Sequence, residues 1–264
     1  MSGKDKNGSS QDRLVLLGTG TCQLQAERKA SSVLVEQGGT RWVYDLGRGI
    51  ADRLASIGLR QDDVRHIVFS HFHPDHVSDL APYLHAAAWS QIDPRSVDLH
   101  LHGPPGLLEL VTGIQQVFGV QALGRDDWQV HVHEIEENTF RIEDGVDAEN
   151  GVNFEFIHLP PAGNRGLKWC HKGRHGEQVI ALTGDSNFHD QEVRFLAGVD
   201  LAIFDSGHLT DDEIVSLAAS ANPGVLVCSH VYRPLDLARL QAEAEAEGFT
   251  GRFQMGEDLM EFPL

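Results

Sequence analysis

Short apolar runs with two-residue alternation recur along this chain, and helical patterns fall between them. Arg13–Leu17 reads as a strand ending in Gly18-Thr19-Gly20-Thr21. Ser32–Glu36 and Arg41–Tyr44 follow as strands joined by the turn residues Gly38-Gly39, and Gly47 and Gly49 break the chain before a helix over Ile50–Ile57. His66–Ser70 is an apolar strand that runs straight into a histidine-dense loop. A helix over Asp79–Ser90, a strand over Val97–His102 and a helix over Leu107–Phe118 come next. Strands are predicted over Gln129–Ile135, Phe140–Ile142 and Asn153–His158, and a hairpin pair over Gly166–His171 and Gln178–Thr183. Leu201–Asp205 and Val225–Ser229 are apolar strands, each followed by a helix, Thr210–Ala219 and Leu235–Glu247, with an acidic start suited to a helix N-terminus. Phe253–Phe262 is predicted to close the chain as an edge hairpin.

These elements form two successive halves, each strand-rich first and strand–helix later. No Pro-, Gly- or Ser-rich linker separates them, which predicts an α/β fold of two sandwiched mixed sheets with helices on the outer faces. Residues 1–11 are polar and read as a disordered lead-in without the apolar segment of a secretory signal, leaving 12–264 as one domain.

Composition narrows the function. The chain has 264 residues, enough to bury one sizeable core, and no run near the roughly 18 apolar residues of a membrane span. With 21 basic against 39 acidic residues, its formal charge of −18 repels phosphate backbones, so no nucleic-acid partner and no membrane partner is expected. Cys22, Cys170 and Cys228 are odd in number and widely spaced, which fits a reducing cytoplasm better than a disulfide scaffold. Histidine is the outlier, at 15 copies. Its ordinary pKa near neutrality suits it to metal ligation and proton transfer.

His71-Phe72-His73-Pro74-Asp75-His76 places four metal-competent side chains within six positions, directly after a strand. In an extended loop His71 and His73 point one way, and Asp75 and His76 can turn to a second centre. Imidazole and carboxylate are the usual ligands for zinc and related first-row ions. His100 with His102 and His131 with His133 are same-face strand pairs, read as solvated faces because no carboxylate partner lies nearby in sequence. Phe72, Trp89, Trp169 and Phe188 could wall a pocket, although each type is more often core.

The sequence resembles the metallo-β-lactamase superfamily of metal-dependent hydrolases over nearly its whole length. Leu16-Leu17-Gly18-Thr19-Gly20, Tyr44-Asp45-Leu46-Gly47, Ser70–His76, His102-Gly103-Pro104, Thr183-Gly184-Asp185-Ser186 and Cys228-Ser229-His230 fall in that family's order. The opening and the His-Gly-Pro segment are closer to the ribonuclease Z-like and phosphodiesterase branch. The resemblance implies two divalent metal ions, zinc first, with manganese or iron(II) as alternatives. One ion would be held by His71, His73 and His158, the other by Asp75, His76 and His230, with Asp185 bridging both. His171 and His175 compete with His158 for the third-histidine role. The implied chemistry is attack by a metal-bridging hydroxide that Asp75 also orients or deprotonates. His208 is implied as general acid, against a plain role at the following helix start. Asp45 is implied as a support beneath the metal loop, against a simple turn former.

Two departures bear on the substrate. Transfer-RNA-processing members carry a long arm between the third histidine and the bridging aspartate, whereas His158 and Asp185 are only 27 positions apart. Gly163-Asn164-Arg165-Gly166 replaces the usual Gly-Tyr-Arg after the third histidine. A small phosphodiester, such as a cyclic nucleotide, is therefore expected rather than a tRNA 3′ end. A lactone, carboxylic ester or aryl sulfate on the same metals is the alternative, and a non-catalytic binding protein the second. The substrate should be a small anion or ester, and relatives of this kind often form homodimers.

Overall fold

The computed structural model describes residues 12–143, 151–161, 163–173 and 176–264. The predicted lead-in over residues 1–11 and His175 lie outside these. In chain order the strands are Arg13–Gly18 (β1), Ser32–Gln37 (β2), Thr40–Tyr44 (β3), His66–Val68 (β4), Leu99–Gly103 (β5), Val130–Glu134 (β6), Thr139–Ile142 (β7), Val152–His158 (β8), Arg165–Gly173 (β9), Gly176–Leu182 (β10), Leu201–Asp205 (β11), Val225–Ser229 (β12), Arg252–Met255 (β13) and Glu261–Pro263 (β14). The helices are Ile50–Ser56 (α1), Pro74–Val77 (α2), Leu80–Trp89 (α3), Leu107–Phe118 (α4), Asp190–Leu196 (α5), Asp211–Ala221 (α6) and Leu237–Ala246 (α7).

Two seven-stranded mixed sheets form, ordered β14-β1-β2-β3-β4-β5-β6 and β13-β12-β11-β10-β9-β8-β7. Leu14, Leu16, Val33, Val35, Trp42, Phe154 and Trp169 fill the space between them. Ile67, Leu99 and Leu101 face the other way, against Leu54 of α1, Leu84 of α3 and Val111 of α4. Ala202, Phe204 and Leu226 of the second sheet pack on Phe195, Ile214 and Leu240 of α5, α6 and α7. This is the expected sandwich with outer helices. Strands covered on both faces are apolar at successive positions, as β1 and β11 are, because neither face meets water.

The predicted closing hairpin does not form. β13 pairs in parallel with β12, and β14 pairs antiparallel with β1, so the two end up in different sheets. The connection crosses over through Gly256, which donates to Cys228 O, and Leu259, which donates to Leu16 O. Alternation marks a strand but not its partner, so two short strands close in sequence look like a hairpin. The same connection carries Asp258, which accepts from Thr19 N at 2.9 Å, Lys29 N at 2.8 Å and Arg53 Nη2 at 2.8 Å. One buried carboxylate thereby ties the loop after β1 to the chain's end. The sequence reading also left out the one-turn helix α2 and α5, both too short to show a full apolar period.

β3, β4, β5 and β6 run parallel, as do β10, β11, β12 and β13. Their C-terminal ends meet along one rim of the sandwich, the usual place for a site in parallel sheets.

Candidate functional site

Each side chain on the rim follows a strand end. β4 ends at Val68, and the chain continues extended to His71 and His73 before Pro74 opens α2, where Pro suits a first helical position. Asp75 and His76 thus sit on a helical turn while His71 and His73 precede it. Gly47 makes room for this turn: a Cβ there would lie 1.7 Å from Asp75 O. β10 ends at Leu182, and Gly184, at φ +63°, turns the chain into Asp185; a Cβ on Gly184 would lie 2.3 Å from Asn164 Oδ1. β12 ends at Ser229, and His230 follows at φ +51°, a left-handed conformation that costs about 1–3 kcal/mol for a non-glycine residue. Asp45, after β3, is strained in the same way at φ +62°.

The imidazoles and carboxylates converge on Asp185. His76 Nε2 lies 3.0 Å and His230 Nε2 3.4 Å from Asp185 Oδ1, and His71 Nε2 lies 3.7 Å from Asp185 Oδ2. Asp75 Oδ2 is 3.3 Å from His230 Nε2 and 3.9 Å from His76 Nε2. His71 and His73 meet edge to face at 4.5 Å between ring centres. The donors fall into overlapping groups: His71, His73 and Asp185; Asp75, His76, Asp185 and His230; and Asp185, Asp205, His208 and His230.

A divalent pair fits this donor set. His71 Nε2, His76 Nε2, Asp185 Oδ1 and His230 Nδ1 are buried without a formed hydrogen bond, and burying such atoms unpartnered is costly. Burial would raise the Asp185 carboxyl, but His76, His230 and His71 hold it well below the carboxylate range. Against the opposing effect of burial, Asp185 and Asp45 raise His76 well above its ordinary value, and Asp205, Asp75 and Asp185 carry His230 to about 9. Burial pushes His71 down to about 3. Without metal, protonated imidazoles therefore balance the carboxylates, and ligation would release those protons.

His158 joins none of the three groups. It is half-buried at the end of β8, in register with Arg165, whose N–H donates to Ser70 O at 3.0 Å. That register keeps it beside the loop that carries His71. His171 is buried on β9 and points to Asp12, 3.8 Å away. Asn164 is buried and donates to Thr183 O at 3.0 Å, bracing the turn before Asp185.

Beneath the donors lies a second layer. Asp45 accepts from Ser70 N at 2.7 Å and Ser70 Oγ at 2.8 Å, and pairs with His76 Nδ1 at 2.7 Å. Sequence reasoning missed Asp205. Its Oδ2 is 2.6 Å from His208 Nδ1, and its Oδ1 accepts from Gly207 N at 2.8 Å and lies 3.4 Å from His230 Nδ1. The available signal was its place at the end of a buried strand, three positions before His208. The Asp205 carboxylate raises the His208 imidazole, whose ring stacks on His230 at 5.1 Å and remains 38% exposed. Glu192, fully buried, accepts from Ser186 Oγ at 2.5 Å, and Ser186 N donates to Asp205 Oδ2 at 3.1 Å.

Of the aromatics that could wall a pocket, two lie elsewhere. Trp169 is inter-sheet core, and Trp89 is exposed at the end of α3. Tyr232 instead stands edge-on to His230 and His208, at 5.2 and 5.5 Å. Among the described residues no helix is long and apolar enough to cross a membrane.

Comparison with known proteins bears on the fold and the family. A ribonuclease Z of Mycobacterium sp. strain KMS is 27% identical over 276 aligned residues, covering 93% of this chain and 94% of the relative. The crystal structure of the metallo-β-lactamase fold protein YhfI from Bacillus subtilis superposes with a TM-score of 0.73 at 16% identity, covering 96% of this chain and 99% of that one. Human tRNase Z, short form, superposes at 0.67 with 19% identity, covering 95% and 98%. The model of the metallo-β-lactamase superfamily matches residues 26–230, from ahead of β2 to His230, and the chain belongs to that superfamily of hydrolases.

Proposed function

We propose that this protein is a dinuclear metal phosphodiesterase acting on a small phosphodiester. The observation that carries this reading is His208, partly exposed, oriented by buried Asp205 and stacked on His230 at the rim where His71 Nε2, His76 Nε2 and Asp185 Oδ1 are unpartnered. An alkoxide leaving group needs a proton, and a histidine whose proton affinity a buried carboxylate raises, beside the metal rim, can supply it. His71, His73 and His158 would hold one ion, and Asp75, His76 and His230 the other, with Asp185 shared; zinc is the ion we expect. Bound there, such ions supply Lewis acidity, lowering the pKa of water and neutralising charge on phosphoryl oxygens. Asp45 fixes the tautomer and direction of His76. Asp75, its side chain 10% exposed at the mouth, can orient a nucleophilic water and take its proton.

A small substrate is favoured by what lies between His158 and Asp185. A turn and the β9–β10 hairpin occupy the described part of that span, leaving no length for a gripping arm. The charge of −18 opposes long nucleic acids. Relatives named ribonuclease Z favour a second reading, an RNA phosphodiester. Metal-loaded protein should be assayed on cyclic nucleotides, aryl phosphodiesters, a 3′-extended tRNA, lactones and aryl sulfates. The expected result is the highest kcat/KM on a small phosphodiester. Preference for the tRNA establishes the second reading, and preference for a lactone or sulfate ester removes both.

A further inference from the structure

Away from the rim, five imidazoles share the inner face of the first sheet at its open edge. His66, His100 and His131 are register partners on β4, β5 and β6, and His102 and His133 are partners one rung further along. The two-residue strand period puts all five on one face. Neighbouring rings stack at 5.0 Å (His66–His100), 4.8 Å (His100–His131) and 4.7 Å (His102–His133). Across the rungs, His66 Nδ1 lies 3.1 Å from His102 Nε2, and His100 Nδ1 lies 3.0 Å from His133 Nε2. The solvated strand faces expected from sequence are therefore one connected array. Its inner members, His66 and His102, are buried, the latter against Phe140, whereas His100 and His131 are half-buried and His133 is exposed. A carboxylate partner does exist: Asp98 Oδ2 lies 2.9 Å from His131 Nε2.

The outer pair has the dimensions of a chelate. Two metal–nitrogen bonds of about 2.0–2.1 Å span roughly 2.9 Å at a right angle and about 3.4 Å at the tetrahedral angle. The His100–His133 separation falls between those limits. Burial and neighbouring imidazoles lower both His100 and His133, so both rings are neutral at pH 7 and have lone pairs to offer. As a hydrogen-bonded pair they share one N–H between the facing nitrogens. Ligation moves that proton to the other nitrogen of the same ring, so no base is required. The acidic protein adds long-range attraction for a cation.

We propose that His100 Nδ1 and His133 Nε2 form a metal seat separate from the dinuclear rim, with the Asp98–His131 pair beside it, for a divalent first-row cation that prefers imidazole. Copper(II) stands at the top of the affinity order for such donors and is the probe of choice. The full-length protein, with zinc bound at the rim, is titrated with copper(II) while electron paramagnetic resonance and released zinc are followed. The expected result is one copper per chain, with hyperfine structure from two imidazole nitrogens and no zinc released. His133→Ala alters an exposed ring and should weaken copper binding by at least about tenfold, with the phosphodiesterase rate within about twofold of the parent. His100→Ala should act in the same way. A copper signal unchanged in both variants, no copper bound beyond the rim, or zinc released in proportion to copper uptake would each overturn the proposal.

Discussion

Among the described residues the molecule holds two histidine clusters, and His76 and His230 of the rim shift opposite to His100, His102 and His133 of the other, whereas His71 on the rim is pushed down like them. On the rim, His76 and His230 face Asp45, Asp75, Asp185 and Asp205, and those carboxylates hold the imidazoles charged against the cost of burial. On the edge ladder, His100, His102 and His133 face mainly one another, and burial with mutual repulsion holds them neutral. What an imidazole does is thus set by its partners more than by its depth. A buried histidine with carboxylates prepares a place for cations, and one among other histidines resists charge.

The comparison breaks most severely at Asp185. Asp185→Ala removes the carboxylate that three imidazoles share, and should lower kcat/KM by at least about a thousandfold together with loss of both metal ions. Elemental analysis alongside kinetics checks this; an inactive variant that keeps two metals sinks the bridging assignment. His208→Ala should cost about 10²–10⁴-fold on alkyl phosphodiesters and far less on a nitrophenyl ester, whose leaving group needs no proton. Equal losses on both substrates would exclude proton donation. Asp205→Asn should cost about 10–100-fold. Asp205 raises the His208 pKa, so its loss should move the alkaline limb of the rate profile to lower pH.

A smaller effect tests the layer below. Burial pushes the Glu192 carboxyl up to about 8 from an ordinary 4.5, and its Oε2 has no hydrogen-bond partner. The folded state keeps a proton here that the unfolded chain loses first. Stability from this group is therefore fully present below about pH 4.5 and lost as pH rises through about 8. At 1.36 kcal/mol per pH unit the loss is roughly 5 kcal/mol at most. Glu192→Gln should flatten urea unfolding midpoints between pH 5 and 9. A variant with the parent's pH dependence would place the titration elsewhere.

How much could be read in advance follows from the same contrast. The metal loop was legible because four donors fall within six residues, and Asp185 and His230 because the family resemblance points to them, each after an apolar strand. Asp205 was not, because it meets His230 only through the parallel pairing of β11 with β12. The ladder's two-residue spacing was visible on each strand, but registering β4, β5 and β6 side by side requires the fold. So does Asp98 meeting His131 across 33 positions. The closing strands failed for a related reason, since period two says nothing about which sheet a strand joins.

The ladder supplies the mildest break. Its lowered imidazoles bind fewer protons folded than unfolded, so their contribution is present above about pH 6.5 and lost as pH falls toward the folded values. Mild acid should therefore loosen the β6 edge. His102→Leu removes the buried ring that His66 and His133 crowd, and should cost about 1–3 kcal/mol at pH 7.5 because His66 loses a partner. Between pH 7.5 and 5.5 the same variant should lose less stability than the parent, since one of the mutually repelling groups is gone. Urea midpoints at the two pH values measure both effects. If the variant is weaker at neutral pH and equally acid-sensitive, repulsion within the ladder is not what acid acts upon, and only the hydrogen-bonding half of the argument survives.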